Sequence, residues 1–308
     1  MSHSANVKVS VRVRPTANFA QDQLRIDQDT NSIFVNLSTG HGEDDHDSHY
    51  SANKADSFNF SYHHVLHNAG QESVYESNTS KVVDGVMNGR NGTVFAYGQT
   101  GAGKTFTMLG SLGTYHQRGI QPRAISHIFS QIEARTEYDF KVSVSYMELY
   151  NERIFDLLSI DQKDQSSYQI VEDKRRGKGT HVRGLITREC TSEKEALNCL
   201  FEGAERRTTA QHVLNTSSNR SHCIFTIYIT QRSRLASSDK VVHSKLNLVD
   251  LAGSERLKKV DREDPVTGER TLDSTIRRES MYINKSLTYL EQCVVALTTK
   301  GRSHIPYR

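Results

Sequence analysis

The stretch VFAYGQTGAGKTFTM (94–108) constrains the fold more than any other part of the chain. A short apolar run leads directly into Gly98-Gln99-Thr100-Gly101-Ala102-Gly103-Lys104-Thr105, which satisfies the phosphate-loop spacing G-x-x-x-x-G-K-[ST]. Glycines at these positions let consecutive backbone amides turn inward around a β-phosphate, backed by the positive end of a following helix. Lys104 is then placed to reach the β- and γ-phosphates, and Thr105 to bring a hydroxyl to magnesium. The strand-like run before the loop and the helix pattern beginning near Gly103 argue against an incidental glycine turn. This much predicts an α/β domain that binds a nucleoside triphosphate.

A magnesium shell needs a second oxygen donor. Asp250 supplies one, ending the apolar run LNLVD as a Walker-B aspartate does, although an aspartate there also suits a simple turn cap. Two residues beyond Leu251, Gly253 has a backbone amide in reach of a γ-phosphate. Guanine specificity is disfavoured. The letters N-K-x-D occur only at 53–56, upstream of the loop, and the later NKSL (284–287) lacks the aspartate. A nucleotide kinase places its phosphate loop after the first strand, whereas here 97 residues precede Gly98.

Period-2 patterns predict strands over Val7–Val13, Ser32–Leu37, Phe58–Phe60, Thr93–Tyr97, 142–149, 223–229 and 245–251. One helix is predicted over Gln71–Met87, closed by Asn88-Gly89. Ser192 and Glu195 form a capping box for a second, with Ala196, Leu197, Leu200, Phe201 and Ala204 on one face. Ile283, Leu287, Leu290, Val294 and Leu297 recur at helical spacing and predict a third over 276–298. Strands and helices interleave with no linker, so the chain reads as one α/β domain over 1–308 with a mixed central sheet flanked by helices, a three-layer P-loop NTPase type. The polar stretch 38–56, rich in His and Asp, reads as a solvated loop and not as a metal site.

Composition adds modest limits. Hydrophobic residues are 35% of the chain, and the net charge of +3 permits a polyanionic partner without requiring one. Cys190, Cys199, Cys223 and Cys293 form no C-x-x-C pair and suit no zinc spacing, so they read as reduced thiols of a cytosolic protein. The N-terminal MSHSANVKV has no apolar signal core, and no run approaches the ~18 apolar residues of a membrane span. A soluble intracellular protein without membrane insertion is expected.

Five segments, in order, resemble the kinesin motor domain: FAYGQTGAGKTFTM, SYMELYNERIFDLL (145–158), NTSSNRSH (215–222), LVDLAGSE (248–255), and YINKSLTYLEQ with HIPYR (282–292, 304–308). The phrases HCIFTIYI, LEQCVVAL and RSHIPYR look most like the kinesin-nine subfamily, whose members serve motile cilia and flagella. The resemblance implies a microtubule-stimulated ATPase using ATP/ADP and Mg2+, located on cytoplasmic microtubules and in the axoneme, with no nucleic-acid partner. Arg12, Arg14 and Pro15 would line the adenine pocket, with Phe106 stacking from the other side. On its own, Arg-x-Arg-Pro at a strand end reads more readily as surface charge. NTSSNRSH is similar to switch I and DLAGSE to switch II, segments whose contacts exist only while the γ-phosphate does. Arg220 and Glu255 would join the switches as a latch, and Ser218, Gly253 and Glu255 would hold the attacking water. The polar face of the 276–298 helix and the loop after it would face acidic tubulin, offering Lys285, Lys300 and Arg302.

Three departures stand out. Asn219 replaces the family's second switch I serine, a magnesium ligand, so Asn219 becomes the candidate metal ligand beside Thr105 and Asp250. The segment 258–279 is longer than usual and dense in both charge signs, and its Lys258, Lys259, Arg262, Arg277 and Arg278 are candidate tubulin contacts. The chain also stops at Arg308, before the family's last tubulin-facing helix, final strand, final helix and neck linker, so the motor domain reads as incomplete and a dimer through a stalk is left open. Two other readings remain: a nucleotide-gated microtubule anchor without stepping, and a P-loop enzyme acting on small molecules.

Overall fold

The computed structural model describes residues 7–16, 19–36, 57–111, 113–160, 168–173, 179–214, 218–234, 241–255, 262–263, 270–271, 274–299, 301–302 and 304–306. The chain opens with strands β1 (Ser10–Val13), β2 (Leu24–Asp27), β3 (Ser32–Asn36), β4 (Ser57–Ser61) and β5 (His64–His67). β1 pairs with β5 in parallel, and β2-β3-β4 form a small antiparallel sheet. The polar stretch between β3 and β4, with its histidines and aspartates, lies outside the described residues.

The single helix expected over 71–87 is two, α1 (Gln71–Asn78) and α2 (Ser80–Met87). Thr79 lies between them, fully buried, with its N–H on Tyr75 O and its own carbonyl accepting from Val82 and Val83. With this buried residue between them, Val74 and Tyr75 of α1 and Val83, Val86 and Met87 of α2 all join the same core. After α2 come β6 (Gly92–Ala96), α3 (Lys104–Met108) and α4 (Ile120–Ala134). Next are β7 (Tyr138–Tyr150), β8 (Arg153–Asp156), the hairpin β9 (Gln169–Asp173) and β10 (Gly179–Arg183), and β11 (Arg188–Cys190). The long α5 (Glu193–Leu214), β12 (His222–Ser233), β13 (Val241–Asp250), β14 (Arg262–Glu263), β15 (Arg270–Thr271) and α6 (Ser274–Thr298) complete the order.

The central sheet runs β11-β7-β12-β13-β6, with β8 added beside β7. It is mixed: β7, β12 and β13 pair antiparallel, and β13 lies parallel to β6. Successive side chains of a strand point to opposite faces, and burial in β13 alternates accordingly, while β12 buries residues on both faces near its start. Phe225, Ile227, Ile229, Leu246 and Leu248 are all buried at 1% exposure or less on one face, under Val83, Met87, Ile125, Ile128 and Leu200 from α2, α4 and α5. Burying a side chain of this size contributes about 1.5–3 kcal/mol, so this face holds the domain together. Ala196, Leu197, Leu200 and Ala204 of α5 are buried as their spacing predicts. Ser192 Oγ accepts the Glu195 N–H at 3.3 Å, while the Glu195 carboxylate reaches one residue further back, to Thr191 N–H at 2.7 Å.

The four cysteines are free thiols. Among the described residues, no helix is long and apolar enough to cross a membrane.

Candidate nucleotide site and switch contacts

Because β6 and β13 are parallel and in register Ala96 to Asp250, both end at the same edge of the sheet. That topology brings the loop leaving β6 beside the carboxylate ending β13, in the crevice where α/β sheets bind ligands. The segment after β13 is stitched to the loop by Leu251 N–H to Ala96 O at 3.3 Å and Ser254 N–H to Gly98 O at 3.1 Å. Gly101 (φ 76°) and Gly103 (φ 94°) adopt left-handed backbone, which an L side chain resists and which turns the loop back on itself. The helix behind the loop, α3, has five residues, so the dipole contribution expected from the sequence is small and the loop amides carry the anion-binding character.

Lys104 is 8% exposed, and its Nζ donates to Gln99 O at 3.0 Å across the loop. Burial lowers its pKa, while Asp250 and Glu255 oppose the shift. Thr105 Oγ1 donates to Asp250 Oδ2 at 2.7 Å. The same oxygen accepts Arg207 Nη1 at 3.0 Å, from the middle of α5. Arg207 is buried, as are Glu148 and Ser221 beside it: Arg207 Nε lies 3.6 Å from Glu148 Oε1, and Ser221 Oγ donates to that oxygen at 2.6 Å.

The sequence reading missed this buried network entirely. Its members come from β7, α5 and the entry to β12, so no local motif joins them. Removing one partner of a buried charge network typically costs about 3–5 kcal/mol, because the remaining charges stay dry and uncompensated. Arg207→Ala is therefore expected to lower the urea unfolding free energy by roughly that amount. A loss under ~1 kcal/mol would mean that Asp250 and Glu148 do not depend on it.

Asp250 is 3% exposed, and its Oδ1 is a buried oxygen without a hydrogen-bond partner among the described residues. An orphaned buried carboxylate oxygen costs free energy unless something positive or protic fills the space before it. With Thr105 Oγ1 on the other oxygen, the residues present fit a magnesium ion and its water shell.

The predicted base-binding residues are also gathered, with distinct tasks. Arg12 turns inward: Nη1 donates to Gln71 Oε1 and Thr107 Oγ1, both at 2.9 Å, and Nη2 to Ala69 O at 3.3 Å. Phe106, 43% exposed, lies against that guanidinium at 5.5 Å. Arg12 thus braces α3 and one side of Phe106, while exposed Arg14 bonds Gly101 O and stays with exposed Pro15 at the loop mouth. Buried Gln71, unsuspected in the sequence, ties Phe106 O and Gln117 O together at 2.7 and 3.2 Å.

The segments expected to act as switch I and switch II meet through main chain. Ser218–Arg220 form a 3-10 turn, and Asn219 O accepts the Gly253 N–H at 2.7 Å. The Gly253 amide, expected to face a γ-phosphate, is therefore engaged by Asn219 O. Glu255 differs from expectation: its carboxylate takes the N–H of Thr100 at 2.8 Å and also the Thr100 hydroxyl, not Arg220, as its hydrogen-bond partners among the described residues. Partial burial works to raise the Glu255 pKa, but the Thr100 bonds, its own backbone amide and the charge of Lys104 together outweigh it and hold the pKa below the ordinary carboxylate value. Glu255 is thus held at the phosphate loop by Thr100.

Of the predicted track contacts, Lys285 and Arg302 are exposed. Arg262 is in β14 and Arg277 and Arg278 are in α6 by backbone, while Lys258, Lys259 and Lys300 lie outside the described residues.

Fold and site together define a P-loop NTPase-type domain. A family model described as kinesin motor domain matches residues 12–308. Kinesin-like protein KIF9 of Mus musculus is 42% identical over 308 residues, all of this chain and 37% of that protein. Kinesin-like protein KLP1 of Chlamydomonas reinhardtii is 44% identical over 306 residues, 98% of this chain and 36% of that protein. A solved structure, "Structure of a fast kinesin: Implications for ATPase mechanism and interactions with microtubules", superposes with a TM-score of 0.77 at 33% identity, covering 98% of this chain and 78% of that one. The chain belongs to the kinesin motor domain family, with its kinesin-nine resemblance matched by KIF9. It spans little more than a third of the length of these curated relatives.

Proposed function

We infer that this chain is an ATP-hydrolysing, microtubule-stimulated motor domain, and that 1–308 is the greater part of that domain. The observation that carries the reading is the Thr105–Asp250 contact beside a buried, unpartnered carboxylate oxygen, with Lys104 on one side and the Gly253–Asn219 contact on the other. Gly98–Gly103 would wrap the β-phosphate, Lys104 would neutralise the β- and γ-oxygens, and Arg14, Pro15 and Phe106 would bound the base, with Arg12 as brace. Thr105, Asp250 and Asn219 would hold magnesium, which when bound neutralises charge accumulating on the phosphates.

A γ-phosphate accepting from Gly253 N–H competes with Asn219 O, so nucleotide state would decide whether the two switches hold each other or the ligand. Glu255, released from Thr100, would then meet Arg220 and, with Ser218 and Gly253, order the attacking water. Positioning of this kind needs no strong base. The exposed Lys285 and Arg302, with Lys258, Lys259, Arg277, Arg278 and Lys300, would meet acidic tubulin. We place the protein on cytoplasmic microtubules and in the axoneme.

A nucleotide-gated anchor is the second reading, favoured by Asn219, whose carboxamide reaches one bond further than a serine hydroxyl toward a metal demanding ~2.1 Å octahedral geometry. Steady-state ATPase with and without microtubules separates these readings. Strong stimulation supports the motor, binding without turnover supports the anchor, and indifference to tubulin supports a small-molecule enzyme. Asn219→Ser is expected to raise the stimulated rate. A lower rate would mean that the local backbone is built around asparagine.

A further inference from the structure

We propose that His222 is a positioning residue that fixes helix α6 to the switch II peptide, through one imidazole bonded to Ala252 N–H on one side and to Ser286 on the other. The proposal rests on the motor reading above and assigns a specific physical connection within it. His222 is the first residue of β12, and its backbone is held in the central sheet opposite Leu149. Its Nδ1 lies 3.0 Å from the Ala252 nitrogen. A backbone N–H can only donate, so Nδ1 is the acceptor and the ring proton sits on Nε2. Nε2 therefore donates to Ser286 Oγ at 2.7 Å, and the Ser286 hydroxyl donates onward to Ile283 O at 2.8 Å. All three bonds have one possible direction, and together they run from the switch II main chain into the main chain of α6.

Burial makes the connection hard to replace. His222 is 7% exposed and Ala252 is not exposed at all, so water cannot readily take over as acceptor for the Ala252 amide. Burial also pushes the imidazole pKa down to about 4, in keeping with the neutral tautomer that the geometry requires. Consecutive switch II amides are thus engaged from the switch I side: Ala252 by the His222 ring and Gly253 by Asn219 O. A ligand that draws Gly253 away from Asn219 must carry the neighbouring Ala252 peptide with it or turn it about the imidazole. Either movement acts on Ser286, and so on α6, whose exposed face carries Met281, Lys285, Thr288, Gln292 and Val295. A histidine that only filled the core would need neither a donor aimed at α6 nor a hydroxyl waiting there.

The test uses the full chain and Ser286→Ala, which cuts only the α6 limb. His222→Asn keeps an acceptor near Ala252 but cannot span to Ser286. Hydrogen exchange of the α6 amides is compared with ADP and with a non-hydrolysable ATP analogue, with no microtubules present. In the wild type the α6 exchange is expected to differ at least severalfold between the two nucleotides. In Ser286→Ala, in His222→Asn and in the double variant that difference is expected to vanish to the same extent, as for residues acting in one path. Basal ATP turnover of Ser286→Ala is expected to stay within about twofold of wild type while microtubule stimulation falls ~10-fold, within the usual range of coupling between two sites. A nucleotide-dependent α6 signal persisting in Ser286→Ala, or absent from the wild type, overturns the connection. Failure of the wild type to be stimulated by microtubules overturns the motor reading instead, and leaves the exchange result to decide on His222.

Discussion

Lys104→Ala is expected to reduce kcat/KM for ATP by ~10²-fold or more, the scale of losing one preorganised charge donor at a developing anion. Lys104 is 8% exposed and its ammonium is already held within the loop by Gln99 O, so little rotamer freedom is left to lose when phosphate arrives. Its removal takes a desolvated cation out of the fold, so the variant is expected to remain folded in circular dichroism while losing nucleotide. Thr105→Asn is expected to separate the functions, keeping nucleotide but hydrolysing it poorly, because the asparagine cannot reproduce the 2.7 Å hydroxyl contact to Asp250. Wild-type hydrolysis in both variants would place the chemistry elsewhere.

The second large effect concerns Glu255. Glu255→Ala and Arg220→Ala are each expected to leave ADP affinity nearly unchanged and to remove most microtubule-stimulated turnover, because the pair would form only in the closed state. The resting partner of Glu255 is Thr100, through the backbone N–H at 2.8 Å and the hydroxyl. Closure therefore exchanges two neutral donors for one guanidinium, a trade that nets little free energy in a partly exposed cleft and is easily reversed. Exchanging the charges, Arg220→Glu with Glu255→Arg, is expected to recover part of the lost rate if the two side chains meet directly. Full stimulated activity in either single variant would remove the latch from the mechanism.

What could be read in advance follows from how local each signal is. The loop at 98–105 and the strand ending in Asp250 are contiguous patterns, and parallel pairing of β6 with β13 is what set them side by side. The face of α5 was legible because helical periodicity reports a buried stripe wherever it lands, whereas of the stripe predicted in α6 only Leu287 is buried and Ile283, Leu290, Val294 and Leu297 are half-buried. The division of 71–87 at Thr79 was not legible, since every residue there tolerates a helix. Arg207 sits in the charged run AERR, where the sequence suggests a solvated surface. It is buried because Asp250 and Glu148, 43 and 59 positions away, converge on it. His222 lay in plain view within NTSSNRSH, yet its partners Ala252 and Ser286 are 30 and 64 residues distant. Glu255 illustrates a third kind of limit: its latch role implies one conformation, and the structure holds another.

Occupancy of the γ-phosphate position, sensed where Gly253 meets Asn219, is expected to set affinity for the track. Co-sedimentation with microtubules at fixed ionic strength, with saturating ADP and then with a non-hydrolysable ATP analogue, measures that coupling directly. The analogue complex is expected to bind at least ~10-fold tighter than the ADP complex, a coupling free energy of about 1.4 kcal/mol or more. Equal affinity in the two nucleotide states, with both nucleotides demonstrably bound, would contradict it.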